Sequence, residues 1–106
     1  MNLNNMGKYK DPSMLILLSL SESDKHGYLI MEDIKNNFYI EFSPGTLYGA
    51  ISRLEKNKLI KPIETDNRRV PYQITPTGIE LLQSHIANMQ KFVSVGLVRL
   101  EQRQNK

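Results

Sequence analysis

From Pro76 onward the apolar residues keep one spacing: Ile79, Leu82, Ile86, Met89, Val93, Gly96 and Leu100 recur at alternating intervals of three and four. That period predicts a helix carrying a coiled-coil-type seam about three heptads long. Thr75-Pro76 supplies a capping hydroxyl and a proline for the first helical position, so the helix is expected to open there. Running to about residue 103, it is roughly 40 Å long at ~1.5 Å per residue, longer than the body of one domain built from 106 residues. Either the seam packs on its own domain as an ordinary amphipathic stripe, or its projecting part meets a second chain, and the length favours the second chain. Gly96 weakens the helix locally but allows close backbone approach, with Leu97 beside it able to share the contact.

Upstream, Pro12 opens a helix whose run Met14-Leu-Ile-Leu-Leu-Ser-Leu20 is apolar on every side. Such a helix must be covered all round, by its own domain alone or with Leu15 and Leu18 shared with a partner subunit. Ser21-Glu-Ser-Asp24 provides turn and N-cap chemistry, after which Gly27, Ile30, Met31, Ile34 and Phe38 mark a second, amphipathic helix. Ser43-Pro44 repeats the cap-plus-proline device and starts a third. Its buried stripe is Leu47, Ile51 and Leu54, while Thr46, Gly49, Arg53 and Lys56 fall on nearly the opposite side. Two β-prone segments follow, Leu59 to Glu64 and Val70 to Thr75, joined by Thr65-Asp-Asn-Arg-Arg69. Val70, Tyr72 and Ile74 alternate as a strand should. Pro62 and Pro71 cannot donate ladder hydrogen bonds, which argues for a small edge hairpin. The expected division is residues 9–75 as a globular domain and 76–106 as the C-terminal helix.

Composition narrows the function classes. The chain lacks cysteine, which excludes disulfides, thiolate zinc sites and thiol nucleophiles and suits a reducing compartment. Its longest apolar run, Met14 to Leu18, is far below the ~18 to 20 residues of a membrane span, and no signal-peptide pattern precedes it; a cytoplasmic protein is the expectation. His26 and His85 fall in different segments with no ligand-type spacing partner, and Ser43-Pro-Gly-Thr46 lacks the glycine-lysine signature of a phosphate loop. No metal or cofactor is expected, and neither a catalytic constellation nor an enzyme. The net charge is +3, and the positive charge is concentrated mid-chain. Arg53, Lys56, Lys58, Lys61, Arg68 and Arg69 stand there against Glu55, Glu64 and Asp66.

Helix, helix, helix, hairpin, helix is the order of a winged helix-turn-helix, mainly α with a minor β component. In that fold the third helix lays its polar face in the DNA major groove and the hairpin reaches an adjacent groove or phosphate. Here the outer face carries Thr46, Gly49, Ser52, Arg53 and Lys56. Gly49 would let the helix approach a duplex closely, or is simply a tolerated helical glycine. Arg53 suits bidentate reading of guanine, although phosphate contact is the safer expectation for it and for Lys56. Arg68 and Arg69 at the hairpin tip can extend along the DNA backbone or into a minor groove. Ser43 and Thr46 sit where free amides attract a phosphate. The rival reading is a winged helix that binds another polypeptide through the same helix, as an adaptor.

His26-Gly27-Tyr28, Ser43-Pro-Gly-Thr-Leu-Tyr48, Arg53-Leu-Glu55 leading into Leu59-Ile60, Arg68-Arg69 with Tyr72, and Thr75 followed by Gly78 together resemble the PadR family of transcriptional regulators. The resemblance implies a dimeric winged-helix repressor on an inverted-repeat operator, in the small subfamily with a single C-terminal dimerisation helix. Leu15, Leu18, Ile79, Leu82, Ile86, Met89, Val93, Leu97 and Leu100 are then the candidate dimer contacts. It also places Tyr48 and the Ser43 to Thr46 segment at the DNA-facing end of the recognition helix, Arg68 and Arg69 in the wing, and His26 and Tyr28 near the DNA backbone. Read on their own, His26 is a first-turn polar residue and Tyr28 a core aromatic with a hydrogen-bonding tip. A small aromatic or drug-like effector is implied at the dimer interface, with Met89 and Phe92 as candidate contacts that serve equally well as packing residues. The chain departs from the family pattern in its short, glycine-free wing turn, where Asn67 is expected to supply a left-handed conformation.

Overall fold

The computed structural model describes residues 11–66 and 68–105. Four helices and three short strands follow one another as α1 (Ser13–Glu22), β1 (Lys25–His26), α2 (Gly27–Phe38), α3 (Pro44–Lys56), β2 (Ile60–Pro62), β3 (Pro71–Ile74) and α4 (Pro76–Gln104). This is a mainly α winged helix-turn-helix with a small antiparallel sheet. Asn67 lies outside the described residues, and with it the expectation about the wing turn.

Helix α1 is the centre of the fold because its sequence leaves it no polar face. Leu15, Ile16, Leu17 and Leu20 are buried in a single cluster with Ile30 and Ile34 of α2, Leu47, Ala50, Ile51 and Leu54 of α3, Ile60 of β2 and Leu82 of α4. Around it, α2 and α3 each turn one apolar stripe inward, as their spacing requires. The start of α1 is organised by Asp11, whose carboxylate accepts the Ser13 backbone N–H at 3.0 Å and the Ser13 hydroxyl at 2.6 Å.

Two expectations need correction here. Asp24 does not cap α2: His26 holds the N-cap position with extended backbone and makes no side-chain cap bond. The two residues before the helix are instead drawn into a strand, β1, which pairs with β3 in the register Lys25 with Tyr72 and His26 with Pro71. Side chains tie this strand down from both sides. The buried Lys25 ammonium donates to the Ser19 carbonyl near the end of α1 and pairs with Glu22 at 3.3 Å, while Asp24 accepts from the Gln73 amide at 3.3 Å.

The second correction follows from the first. The sheet order is β1-β3-β2, so β3 is the central strand of three and the hairpin is not an isolated edge ribbon. Pro71 is tolerated because it occupies the first position of β3, where a missing donor does least harm. Its carbonyl still accepts the Ile63 N–H at 2.8 Å. Pro62 closes the edge strand β2.

Both cap-plus-proline starts form. The Ser43 side chain accepts the Thr46 N–H at the head of α3, and that of Thr75 accepts the Gly78 N–H at the head of α4. Thr75 also donates its hydroxyl to the Lys58 carbonyl at 2.8 Å and its N–H to the Leu59 carbonyl at 3.1 Å. Gly78 completes the junction, since a Cβ there would run into the Leu59 carbonyl. Beyond this anchor α4 leaves the domain. Of its seam only Leu82 is buried, while Ile86, Met89, Val93, Leu97 and Leu100 are exposed.

Leu15 and Leu82 therefore do not belong with the candidate dimer contacts. At 4% and 6% exposure they lie in the protomer's own core, because α4 crosses α1 over its first turns before it projects. Leu18, on the far side of α1, keeps 37% of its surface in solvent.

Candidate nucleic-acid interface

Helix α3 has an apolar inner stripe in the core, and its remaining surface is the candidate site. Ser43, Thr46, Tyr48, Ser52, Arg53 and Lys56 are all exposed, and Gly49 is half-buried. The first turn is ordered by the hydroxyls of Ser43 and Thr46, which lie 2.9 Å apart, so the amides of that turn are presented in a fixed arrangement.

The glycines of the chain fall into two kinds. Gly27 and Gly78 are required by their neighbours: a Cβ on Gly27 would stand 2.5 Å from the Tyr48 ring, and one on Gly78 would strike backbone. Gly45 has nothing within 4 Å of its missing side chain, and Gly49 has only the tip of Arg53 at 3.7 Å. Among the described residues no packing calls for glycine at 45 or 49, yet Gly49, inside the helix, weakens it by ~1 kcal/mol relative to alanine. Four residues apart, they lie one above the other on the helix surface, and Arg53 stands one turn further on the same line. Sequence reading singled out Gly49 and took in Gly45 only as part of the Ser43 to Thr46 segment; its place on that line is visible once the stripe is drawn through Arg53.

Arg53 is 59% exposed at its side chain and is not sealed by other atoms. Its guanidinium bends back over Gly49 toward the helix start, and Nη2 reaches the Asp11 carboxylate at 3.4 Å. Lys56, one turn beyond Ser52, completes the basic end of α3, whose last turn carries both cations.

Tyr48 joins this face to the wing. Its ring lies on Gly27, and together with His26, Tyr28, Arg68, Arg69, Val70 and Tyr72 it lines a cleft of about 380 Å³ between the start of α2, α3 and the hairpin. The His26 and Tyr28 rings stack with centroids 6.4 Å apart. Tyr28 is half exposed, so it is a rim residue of this cleft and no core aromatic. Burial, with Glu55 and then Tyr48 nearby, pushes the Tyr72 phenol above its ordinary value. The separate motifs His26-Gly27-Tyr28, Tyr48 and Arg68-Arg69 thus form one concavity with two cations and three phenols. Sequence reading named most of these residues but had no signal that they share a surface.

On α4, Ile86, Met89, Gln90, Val93 and Ser94 line a shallow hollow of about 520 Å³. Met89 belongs to it; Phe92, 81% exposed, points elsewhere, so the two candidate effector contacts are not brought together within one chain. Among the described residues no three His, Cys, Asp or Glu side chains gather around a common metal position. No described helix is long and apolar enough to cross a membrane.

Comparison with known proteins points the same way. Residues 16–84 match the model of the transcriptional regulator PadR-like family. A solved transcriptional regulator from Clostridium thermocellum superposes with a TM-score of 0.70 at 34% identity, covering 78% of this chain and 84% of that one. A PadR family transcription regulator from Clostridium difficile gives a TM-score of 0.70 at 27% identity, covering 78% and 91%. An uncharacterized 37.1 kDa protein in a transposon of Streptomyces fradiae is 38% identical over 81 residues. That match takes in 76% of this chain but only 24% of the longer relative.

Proposed function

The chain belongs to the PadR-like family of transcriptional regulators, and from that premise we propose that it acts as a homodimeric repressor, binding an inverted-repeat DNA operator through α3 and the wing. The observation that carries this reading is the pair of outward glycines, Gly45 and Gly49, which no contact among the described residues explains. A helix surface stripped of side chains at two successive turns, with Arg53 at its end, can seat its backbone close to base edges in a major groove. The start of α3, with the Ser43 and Thr46 hydroxyls, then faces one phosphate. The cleft formed by His26, Tyr28, Tyr48, Arg68 and Arg69 accepts another, as phosphate contacts fix the orientation of the protein on the duplex.

Dimerisation supplies the second half-site. The exposed seam of α4, with Leu18 beside it, is the surface offered to a second copy, and a two-fold pair of recognition helices places half-sites about 34 Å apart. Repression follows from occupancy of such an operator, and a small aromatic molecule entering the hollow at Met89 would alter the spacing of the two helices.

Selection of bound fragments from genomic DNA, followed by footprinting, tests the reading. The expected result is a protected inverted repeat with affinity that falls steeply between about 50 and 200 mM salt. Binding insensitive to salt, with capture of a polypeptide in place of DNA, supports the adaptor instead. Titration of small aromatics against the DNA complex tests the effector: release of the operator is expected, and uniform indifference leaves a repressor without one.

A further inference from the structure

The guanidinium of Arg53 lies over the preceding turn of α3, as long helical side chains do, and there it meets a carboxylate 42 residues earlier in the chain. Asp11 stands just before α1, and its Oδ1 accepts from the Ser13 amide at 3.0 Å, from the Ser13 hydroxyl at 2.6 Å and from Arg53 Nη2 at 3.4 Å. The two Ser13 bonds fix the carboxylate against the first turn of α1, a helix anchored on four sides by the core. The Ser13 side-chain bond is also the main reason the Asp11 carboxyl is held below its ordinary value. On the other side, Arg53 Nη1 lies 3.7 Å from the point where a Gly49 side chain would begin.

Unheld, an arginine on a solvent-facing helix samples many rotamers, and ordering it on a base is unfavourable in entropy. Here one N–H of the fork is engaged by Asp11 and the remaining donors of the guanidinium are left for a ligand. We propose that Asp11 is a positioning residue for sequence discrimination: it holds Arg53 along the bare glycine stripe, so that the free edge of the guanidinium meets a guanine in the major groove. The inference rests on the DNA-binding reading above. It assigns Asp11, which precedes α1 and lies outside α3 and the wing, to the recognition apparatus.

The opposite role is chemically simple to distinguish. A carboxylate beside a DNA-binding arginine also repels phosphate, so if charge alone mattered, Asp11→Asn would tighten all DNA binding, specific and non-specific alike. The test measures affinity of the full-length protein for the selected operator and for a scrambled duplex at fixed salt. Under the proposal Asp11→Asn lowers the ratio of the two affinities roughly tenfold, within the range that one bidentate base contact supplies. Ser13→Ala, which removes the hydroxyl bond to the carboxylate while keeping the backbone N–H bond and the charge, lowers the ratio in the same direction by less. In an Arg53→Ala background Asp11→Asn leaves the ratio where Arg53→Ala alone put it. Circular dichroism of each variant checks that α1 is intact.

An unchanged or increased ratio in Asp11→Asn overturns the proposal, and so does an equal fall with and without Arg53. If Arg53→Ala by itself leaves operator selectivity intact, Arg53 reads no base and the proposal fails while the DNA-binding reading stands. If the wild-type protein shows no selectivity for any duplex, both fail.

Discussion

Gly27 and Gly78, held by close neighbours, and Gly45 and Gly49, which have none so close, show how one residue type serves opposite ends, and how substitution tells them apart. At Gly27 an added Cβ meets the Tyr48 ring at 2.5 to 2.7 Å, far inside ordinary contact. Gly27→Ala must displace Tyr48, opening the cleft and lowering stability by about 1 to 3 kcal/mol as overpacked positions do. Gly49→Ala adds a methyl into open space and replaces the poorest helix former after proline with the best. The expected outcome is a gain of up to about 1 kcal/mol in stability together with weaker operator binding. Thermal or urea unfolding checks the first sign and a titration with operator DNA the second. A variant that gains stability and loses nothing in affinity would make Gly49 a merely tolerated residue. Ser19 gives a further prediction of the same kind. Its hydroxyl is buried with no hydrogen-bond partner among the described residues, so Ser19→Ala should be neutral or stabilising by about 1 kcal/mol in urea unfolding.

At the level of elements, the ends of helices decide the architecture, and their legibility differs. The starts of α3 and α4 were readable because a hydroxyl followed by proline is a local signal, and Ser43 and Thr75 make the bonds that signal promises. The inner stripe of α3 was equally readable, since a 3-4 spacing needs no knowledge of the neighbour it buries against. Strand β1 was not. Two residues carry no periodicity, and Lys25-His26 becomes a strand only because β3, 45 residues later, offers an unpaired edge. The division of the seam was hidden for the same reason: its spacing states that Leu82 and Met89 share a face and says nothing of whose core each enters. The end of α3 was also unannounced. Lys58 takes a left-handed conformation, φ 62°, with its N–H on the Glu55 carbonyl and the Leu59 N–H on the Leu54 carbonyl, the bonding of a Schellman terminus normally built on glycine. Lys58→Gly relieves that strain and should raise stability by roughly 0.5 to 1 kcal/mol, measured as an upward shift of the unfolding midpoint without change in the denaturant slope. A fall in stability would mean that the lysine side chain contributes more than the backbone loses.

For the whole molecule the governing fact is that one end of α4 is anchored and the other bears apolar side chains that the described residues leave exposed. Val93 is 54% exposed, Leu97 64% and Leu100 59%, on a helix that the domain covers only near Leu82. Isolated, such a stripe adds nothing to stability; joined to its copy about a two-fold axis, every position acts twice. In the proposed dimer a charge at the centre of the seam therefore acts twice as well, and Val93→Glu would set two carboxylates into its apolar interface. Burying them unpaired is costly enough to raise the dimer dissociation constant by on the order of tenfold or more. In sedimentation at micromolar concentration the wild-type protein should run as a dimer whose melting temperature rises with concentration, and Val93→Glu should move toward monomer and lose that dependence. Because Val93 lies far along α4 from α3, the variant keeps an intact recognition helix. Its affinity for a single half-site should be preserved while affinity for the full inverted repeat collapses toward the half-site value, since linkage of two binding modules is what separates them. A Val93→Glu protein that still bridges both half-sites with wild-type affinity would place the dimer contact elsewhere, and Leu18 with Ile79 at the base of α4 would be the surface left to carry it.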